Sequence, residues 1–554
     1  MPLLSTCMDS NLKLFEMGES TRSLARCVPC SELTAMVLQM MQQGGVMDIA
    51  DAQDWMNPKF ERLLDSLDLG AASAVARDKW NAKSSLGNVL IYGDYDTDGI
   101  SSTVLAMEIF RHKAVQVRYF IPRRDVQGYG LNAEVLEQVV RGGCNTLVVV
   151  DCGTNDSEML EDLERRGLDV FVFDHHAVAE APAFQAIVNP CADGGGKARK
   201  LCATAVLWCW AWKEDILPRD WLKYALDLVA LATISDCMPL NSLNRSFVRR
   251  GMRLMRTNPR RGLGALFSRL RLNARQITEE QLSMRVIPCL NAPGRISCAD
   301  VSVRALLGVG GDDAVYECAG ELIKMNRRRQ MISERIAGNI RESGEDDRHV
   351  MFDESWPVGV LSGVASRICA QRRSAVALAA PVGEKVRGTL RVPTGGNAVG
   401  ILSEISDLLD AWGGHRYAAG FSVLARNWDE VEGRLEGLLA DVGVEDEVVS
   451  AINLSPARIS LDDWRTVTAL GPFGNDNPCP LFYCASSGED RVEPLGKDGK
   501  HSAVRVDNVK LLAFNAAPDL QDTSGIKGWV YHPRLDYWRN EEQIQFILDY
   551  AVVV

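Results

Sequence analysis

A chain of 554 residues is too long for one hydrophobic core and predicts three or four units of roughly 100–200 residues each. With 46% hydrophobic and 24% charged residues it has the make-up of an ordinary soluble protein, and its longest apolar stretch, 201–212, is too short to span a bilayer. The net charge of −12 does not exclude a nucleic-acid partner, because binding answers to local patches and bound cations cancel negative charge. Residues 1–11 lack the basic start and apolar centre of a secretory signal, so no membrane association and a cytoplasmic location are expected. The fifteen cysteines are then reduced, and the CxxC pair Cys27/Cys30, lacking a second pair for zinc, is read as structural.

Residues 1–85 read as an N-terminal helical segment, with helices near 31–43 and 60–67. The apolar run 89–92 follows as a buried strand bounded by Gly93. Asp94, Asp96 and Asp98 come next at alternate positions. Gly99 permits a tight turn, and Ser101, Ser102 or Thr103 is placed to cap a helix over 104–110. Three carboxylates in five residues repel one another, so a buried strand feeding them into one turn favours a cation site over a plain Asp-Gly turn. The pattern recurs. The run 145–150 ends at Asp151, the run 169–173 at Asp174-His175-His176, and the run 228–235 at Asp236, with helical patterns at 132–141 and 157–166. Alternating strands and helices predict a doubly wound parallel sheet, whose ligands bind beyond the carboxyl ends of the strands. These acidic positions are therefore expected to converge on one edge.

The loop 128–132 stands before a helix and can set backbone amides against an anion, or can simply be a helix start; Gly194-Gly195-Gly196 reads as a mobile surface loop. Seven arginines (245, 249, 250, 253, 256, 260 and 261) and the run 327–329 form basic segments that suit either nucleic acid or solvated helix faces. A long helix is expected over 313–341, with a polar hinge at 344–348. Beyond it, strands at 358–361 and 375–379 and a helix at 399–410 mark a second α/β unit. There the glycines of Gly413-Gly414-His415 let a phosphate approach backbone amides while His415 adds a donor. Short strands at 481–484, 501–506, 510–514, 527–530 and 543–548 suit a small barrel of the kind that binds single strands. Tyr531, Tyr537 and Trp538 are candidates for base stacking and, equally, for the barrel core.

The set Asp94-Tyr95-Asp96-Thr97-Asp98-Gly99, Asp151, Asp174-His175-His176 and Asp236 resembles the four motifs of the DHH phosphoesterases. Five further stretches are similar to the RecJ branch, the single-stranded-DNA exonucleases: Trp55-Met56-Asn57-Pro58, the 128–132 loop, Leu290-Asn291-Ala292-Pro293-Gly294-Arg295, residues 413–420 and residues 471–478. They occur in the expected order from about residue 50 to the end. The resemblance implies an α/β fold. A doubly wound DHH catalytic domain at 86–312 would be joined by a linking helix at 313–345 to a smaller DHHA1 domain at 346–445, followed by an OB-like domain at 446–554.

It further implies a two-metal site for manganese, with magnesium as the alternative ion, held by Asp96, Asp98, Asp151, His175 and Asp236, with Asp151 bridging. His176 would contact the scissile phosphate, Asp174 would orient the histidines, and Asp94 would fix the turn. Asn291, Arg295, Ser366, Arg367, Arg391, Gly414 and His415 would hold the substrate. The activity implied is 5′→3′ hydrolysis of single-stranded DNA in repair or recombination, with a single-strand-binding protein or a helicase as partner. A phosphodiesterase of short oligonucleotides or cyclic dinucleotides, and a catalytically silent scaffold in a replication complex, are the alternatives. Departures from the branch fall in the substrate region: Pro357 stands where a histidine is usual, Ser362-Gly363 replaces Gly-Ile, 201–206 lacks a glycine, and the context of Arg391 differs. No GxSxG elbow or Cys-His pairing suggests a covalent nucleophile.

Overall fold

The computed structural model describes residues 5–28, 30–44, 52–123, 130–178, 184–192, 196–344, 347–445, 448–488, 490–496, 500–514, 520, 523, 525–538 and 541–553. Among these residues three sheets carry the fold. The first is all parallel, in the order Gln116–Phe120, Asn88–Tyr92, Thr146–Val150, Asp169–Phe173, Ile187–Val188. Every residue of Thr146–Val150 is buried, as expected of a β-branched run covered by helices on both faces. Helix Thr97–Phe110 follows strand Asn88–Tyr92 across the short turn that carries Asp94 and Asp96. Asp96 is its N-cap, accepting from the Asp98 and Gly99 amides, so the capping role expected of Ser101, Ser102 or Thr103 falls to Asp96 instead. Those three side chains lie buried a turn further in. Aspartate is among the strongest caps, and here it is the first available.

The run 228–235 is not a strand. It belongs to helix Leu226–Ser235, packed between Thr97–Phe110 and Ser242–Thr257, so Asp236 arrives from a helix end rather than a strand end. An unbroken apolar run has no periodicity to separate a buried strand from a buried helix. The arginines that follow also depart from the basic-patch reading, because several hold the structure together. Arg245 is fully buried, lies 4.2 Å from the Trp55 ring centre, and donates to the carbonyls of Trp55, Ala469 and Gly471. Arg256 is bound to the Ile277 carbonyl, and Arg260 is paired with Asp227 and Glu108. A planar guanidinium satisfies several carbonyls at a junction better than a lysine would.

Helix Asp312–Glu342 runs 31 residues. Cys318, Ala319 and Leu322 pack into the core around the first sheet, while Ile336, Ala337 and Ile340 pack into that of the second. The second sheet runs Ala411–His415, Ala418–Leu424, Lys385–Arg391, Val376–Val382, Val350–Phe352. The strand expected at 358–361 is the first turn of helix Val358–Arg372, which buries Val360, Leu361, Val364, Ala365 and Ile368 at helical spacing. Four apolar residues were too few to show that period. The helix expected over 399–410 is shorter, Ala398–Ser403, followed by a 3-10 turn at Ser406–Leu408.

The third sheet has nine strands, dominated by the antiparallel pair Ile526–Trp538 and Glu541–Val553. Two of its members come from the other end of the chain. Ser5–Met8 pairs with Glu541–Val553, and Leu12–Phe15 with Val449–Asn453. Leu24, Met36, Val37 and Leu38 then share a core with Trp464, Phe482, Trp529 and Tyr531. Residues 1–85 therefore hold strands as well as helices. Tyr531 is fully buried, with its hydroxyl donating to the Leu454 carbonyl at 2.7 Å, so it is core rather than a base platform. Tyr537 is 40% exposed and donates to Glu542; the Trp538 side chain, the triple glycine except Gly196, and residues 128 and 129 of the 128–132 loop fall outside the described residues. The thirteen cysteines whose side chains are described are free thiols, and among the described residues no helix is long and apolar enough to cross a membrane.

Candidate metal centre

The tight turn after Asn88–Tyr92 brings the first carboxylates together. A Cβ on Gly99 would lie 2.5 Å from the Asp94 carbonyl oxygen, so only glycine lets the turn close. Asp98 is fully buried and points at the start of helix Ala203–Lys213. It accepts from the Ala203 amide at 2.7 Å, the Thr204 amide at 2.9 Å and the Thr204 hydroxyl at 2.6 Å. Free amides and the helix dipole thus hold this carboxylate in one orientation.

Asp151 follows the next strand with φ of +62°, a left-handed conformation that costs a non-glycine residue energy and persists only where surroundings impose it. Its Oδ1 is buried and makes no hydrogen bond, although His175 Nε2 lies 3.4 Å away. His175 Nε2 is also 3.3 Å from Asp236 Oδ2 and 3.7 Å from Asp98 Oδ2. Burial, reinforced by Asp98, Asp96, Asp236 and Asp94, pushes the Asp151 carboxyl well above the usual range; burial and the charges of Asp98, Asp96 and Asp94 do the same to Asp236.

Asp174 sits behind the histidines. It accepts from the Thr154 amide and hydroxyl, from the amides of His175 and His176, and from His176 Nδ1 at 2.7 Å. Burial opposes its ionisation, yet these bonds and the imidazoles hold its carboxyl below the usual range. Burial likewise opposes charge on His176, and the Asp174 contact prevails, raising it to about 9. Asn189, also buried, donates to the Thr154 hydroxyl and the His176 carbonyl, both at 2.9 Å.

Among the described residues the donor atoms fall into three clusters, each within 4.8 Å: Asp98, His175 and Asp236; Asp151, His175 and His176; Asp94, Asp96 and Asp151. Hard oxygens, two imidazoles and an unsatisfied buried carboxylate oxygen fit divalent cations of the magnesium or manganese kind. All eight sequence-predicted positions of the centre meet here. Thr154, Thr204 and Asn189 were missed. Thr204 lay in a stretch noticed only for lacking a glycine, and Thr154 three residues after Asp151 was the available signal.

A second feature lies against the first. Helix Ile287–Ile296 presses on the acidic turn: Thr97 donates to Asn291 Oδ1 at 2.6 Å, and a Cβ on Gly294 would lie 2.5 Å from the Tyr95 carbonyl oxygen. Beyond it is a cavity of about 350 Å³ lined by Asn291, Arg295, Arg329, Ser362, Ser366 and Arg391, among others. Arg295 donates to Ser362 Oγ at 3.3 Å, and Arg391 to Ser366 Oγ at 3.0 Å and Thr389 Oγ1 at 2.9 Å. Four of the expected substrate residues, Asn291, Arg295, Ser366 and Arg391, therefore share one cavity. Arg367 does not line it and donates to the Ser333 carbonyl. Gly414 and His415 lie apart, on the exposed edge strand Ala411–His415. Arg329 joins the cavity from the basic run on the long helix.

Comparison with known proteins supplies the family. The DHH family N-terminal domain matches residues 88–233, the DHHA1 domain residues 347–441 and the RecJ OB domain residues 451–550. The single-stranded-DNA-specific exonuclease RecJ of Bacillus subtilis is 26% identical over 94% of this chain and 68% of its own length. That of Thermus thermophilus is 30% identical over 77% and 63%, and that of Escherichia coli 28% over 85% and 88%. Against the Thermus relative the chain thus spans less than two thirds of the other's length. The crystal structure of Thermus thermophilus RecJ in complex with Mn2+ superposes with a TM-score of 0.80, at 23% identity over 98% of this chain and 79% of the other, which speaks to fold. The chain belongs to the DHH phosphoesterase family and, with its DHH, DHHA1 and RecJ OB domains in that order, to the RecJ branch of it.

Proposed function

We propose that this chain is a metal-dependent exonuclease that hydrolyses single-stranded DNA in the 5′→3′ direction. The observation that carries the reading is the convergence of Asp96, Asp98, Asp151, His175 and Asp236 around the unsatisfied Asp151 oxygen. We assign these five as ligands of two ions, manganese or magnesium; relatives named single-stranded-DNA-specific exonucleases and RecJ crystals holding Mn2+ or Mg2+ support that choice. Held by these residues, such cations would supply neutralisation of a phosphodiester and acidification of the attacking water.

The chain's own groups do the rest. Thr204 and the Ala203 amide keep Asp98 from rotating, and Asp94 supports the turn beside Asp96. Asp174 takes Nδ1 of His176, which leaves Nε2 to donate to the scissile phosphate. Arg295, Arg391, Asn291 and Ser366 grip backbone phosphate in the cavity, with guanidinium forks suited to its oxygens. Gly414 and His415 would meet the strand further along; Arg367, tied to Ser333, is left out of this track.

We assign the work by segment as 1–85 N-terminal, 86–312 catalytic, 313–345 linking, 346–445 substrate-holding and 446–554 strand-binding. An enzyme confined to single strands needs an activity that exposes them, so a helicase or a single-strand-binding protein is the partner class, and the cytoplasm the setting. The test is a nuclease assay on 5′- and 3′-labelled single and double strands with manganese. Short products from the 5′ end of single strands alone, abolished by chelation, are expected. Turnover that persists in a chelator-treated, manganese-free sample refutes the reading.

A further inference from the structure

Two motifs, Trp55-Met56-Asn57-Pro58 and residues 471–478, lie outside both the centre and the cavity. They meet each other on helix Ser242–Thr257. Arg245 donates to the Trp55 carbonyl at 3.0 Å and the Gly471 carbonyl at 3.4 Å, and Arg249 to the carbonyls of Met56 and Ala469, each at 3.4 Å. Asn477 ties the loop to itself through the carbonyls of Leu470 and Pro472. So anchored, the loop reaches residues 236–241, the connection that carries Asp236 out of helix Leu226–Ser235. Asn475 Nδ2 donates to the Cys237 carbonyl at 2.8 Å, and the Leu240 amide donates to the Asn475 carbonyl at 2.8 Å. Cys237 has φ of +50°, a conformation its own side chain does not favour and that must be held from outside.

We infer that Asn475 is a positioning residue for the metal centre. From the C-terminal unit it grips the residues on the far side of Asp236 and so sets where that carboxylate lies. The inference rests on the reading of Asp236 as a metal ligand. It gives the C-terminal unit a second role beside strand binding, because a shift of the 469–477 loop moves one ligand of the centre. Outer supports of this kind weigh roughly 10–100-fold in metal affinity.

The test is calorimetric titration of Mn2+ into the chelator-treated full-length chain, with thermal melting of each variant. Asn475→Ala is expected to weaken Mn2+ binding about tenfold while the metal-free melting temperature stays near that of the wild type. In an Asp236→Ala background the same change should cost no further affinity, since the carboxylate it positions is gone. Lys200→Ala, which removes the Lys200–Asp476 pair from the same loop without touching 236–241, should bind Mn2+ like the wild type. Wild-type affinity in Asn475→Ala, or an equal loss in Lys200→Ala, overturns the positioning role. Wild-type affinity in Asp236→Ala would instead remove Asp236 from the metal shell, a failure of the underlying assignment that this set tells apart.

Discussion

The acidic centre and the arginine cavity touch across helix Ile287–Ile296, yet they are built on opposite terms. In the centre, carboxylates are buried and held by amides and hydroxyls: Asp98 by Ala203 and Thr204, Asp174 by Thr154 and the histidine amides. Like charge is packed until one oxygen of Asp151 has no donor. In the cavity, arginines converge on open space, braced by serines from helix Val358–Arg372. On the proposed reading the first arrangement would hold a cation in a fixed place, and the second an anion that arrives and leaves. Chemistry needs rigid ligands, whereas a strand that must advance needs contacts that can be remade.

The sharpest way to break this contrast is at the centre. Asp98→Ala or His175→Ala should cost several kcal/mol of transition-state stabilisation, roughly three orders of magnitude in turnover, with the fold retained by circular dichroism. Partial activity that rises with manganese would mean that the ligand set tolerates vacancy. In the cavity Arg391→Ala should act mainly on KM, by about tenfold to a hundredfold, as expected for one charge-assisted bond to phosphate. If its Mn2+ affinity fell as well, the two regions would not be separate devices.

A gentler effect concerns pH in the metal-free protein. The carboxyls of Asp151 and Asp236 lie above their unfolded values, so their contribution to stability is full below the unfolded pKa and is lost as pH rises through the raised folded value. The melting temperature of chelated protein should therefore decline with rising pH over that window, and saturating Mn2+ should reverse the decline. A chelated protein that gains stability across it, without Mn2+, would show those carboxylates already satisfied. Smallest of all, Tyr531→Phe should cost about 1 kcal/mol through the lost bond to Leu454 and leave strand binding as it was. Weaker DNA binding at unchanged stability would return Tyr531 to the surface.

What the sequence made legible follows the same division. The aspartates were readable because a cation site needs ionisable groups at fixed spacing after strands, and three of the four segments that carry the centre do end strands. Asp236 was found although its element was misread, since an apolar run buried on all sides looks the same as helix or strand. The pairing of Ser5–Met8 with Glu541–Val553 left no local trace, because a four-residue strand is too short to show a period and its partner lies at the other end of the sequence. Arginine was the most misleading residue. Arg245 and Arg260 announce charge in the sequence, but their partners, carbonyls and carboxylates distant in the chain, appear only in the fold.

The central claim is that the buried carboxylates and His175 form a cation site centred on Asp151. Calorimetric titration of Mn2+ into the chelator-treated protein, for the wild type and for the nearly isosteric Asp151→Asn, tests it most directly. Two ions per chain in the wild type, with binding lost or reduced to one weak site in Asp151→Asn, is the predicted result. No Mn2+ binding in the wild type, or identical isotherms for the two proteins, would contradict it.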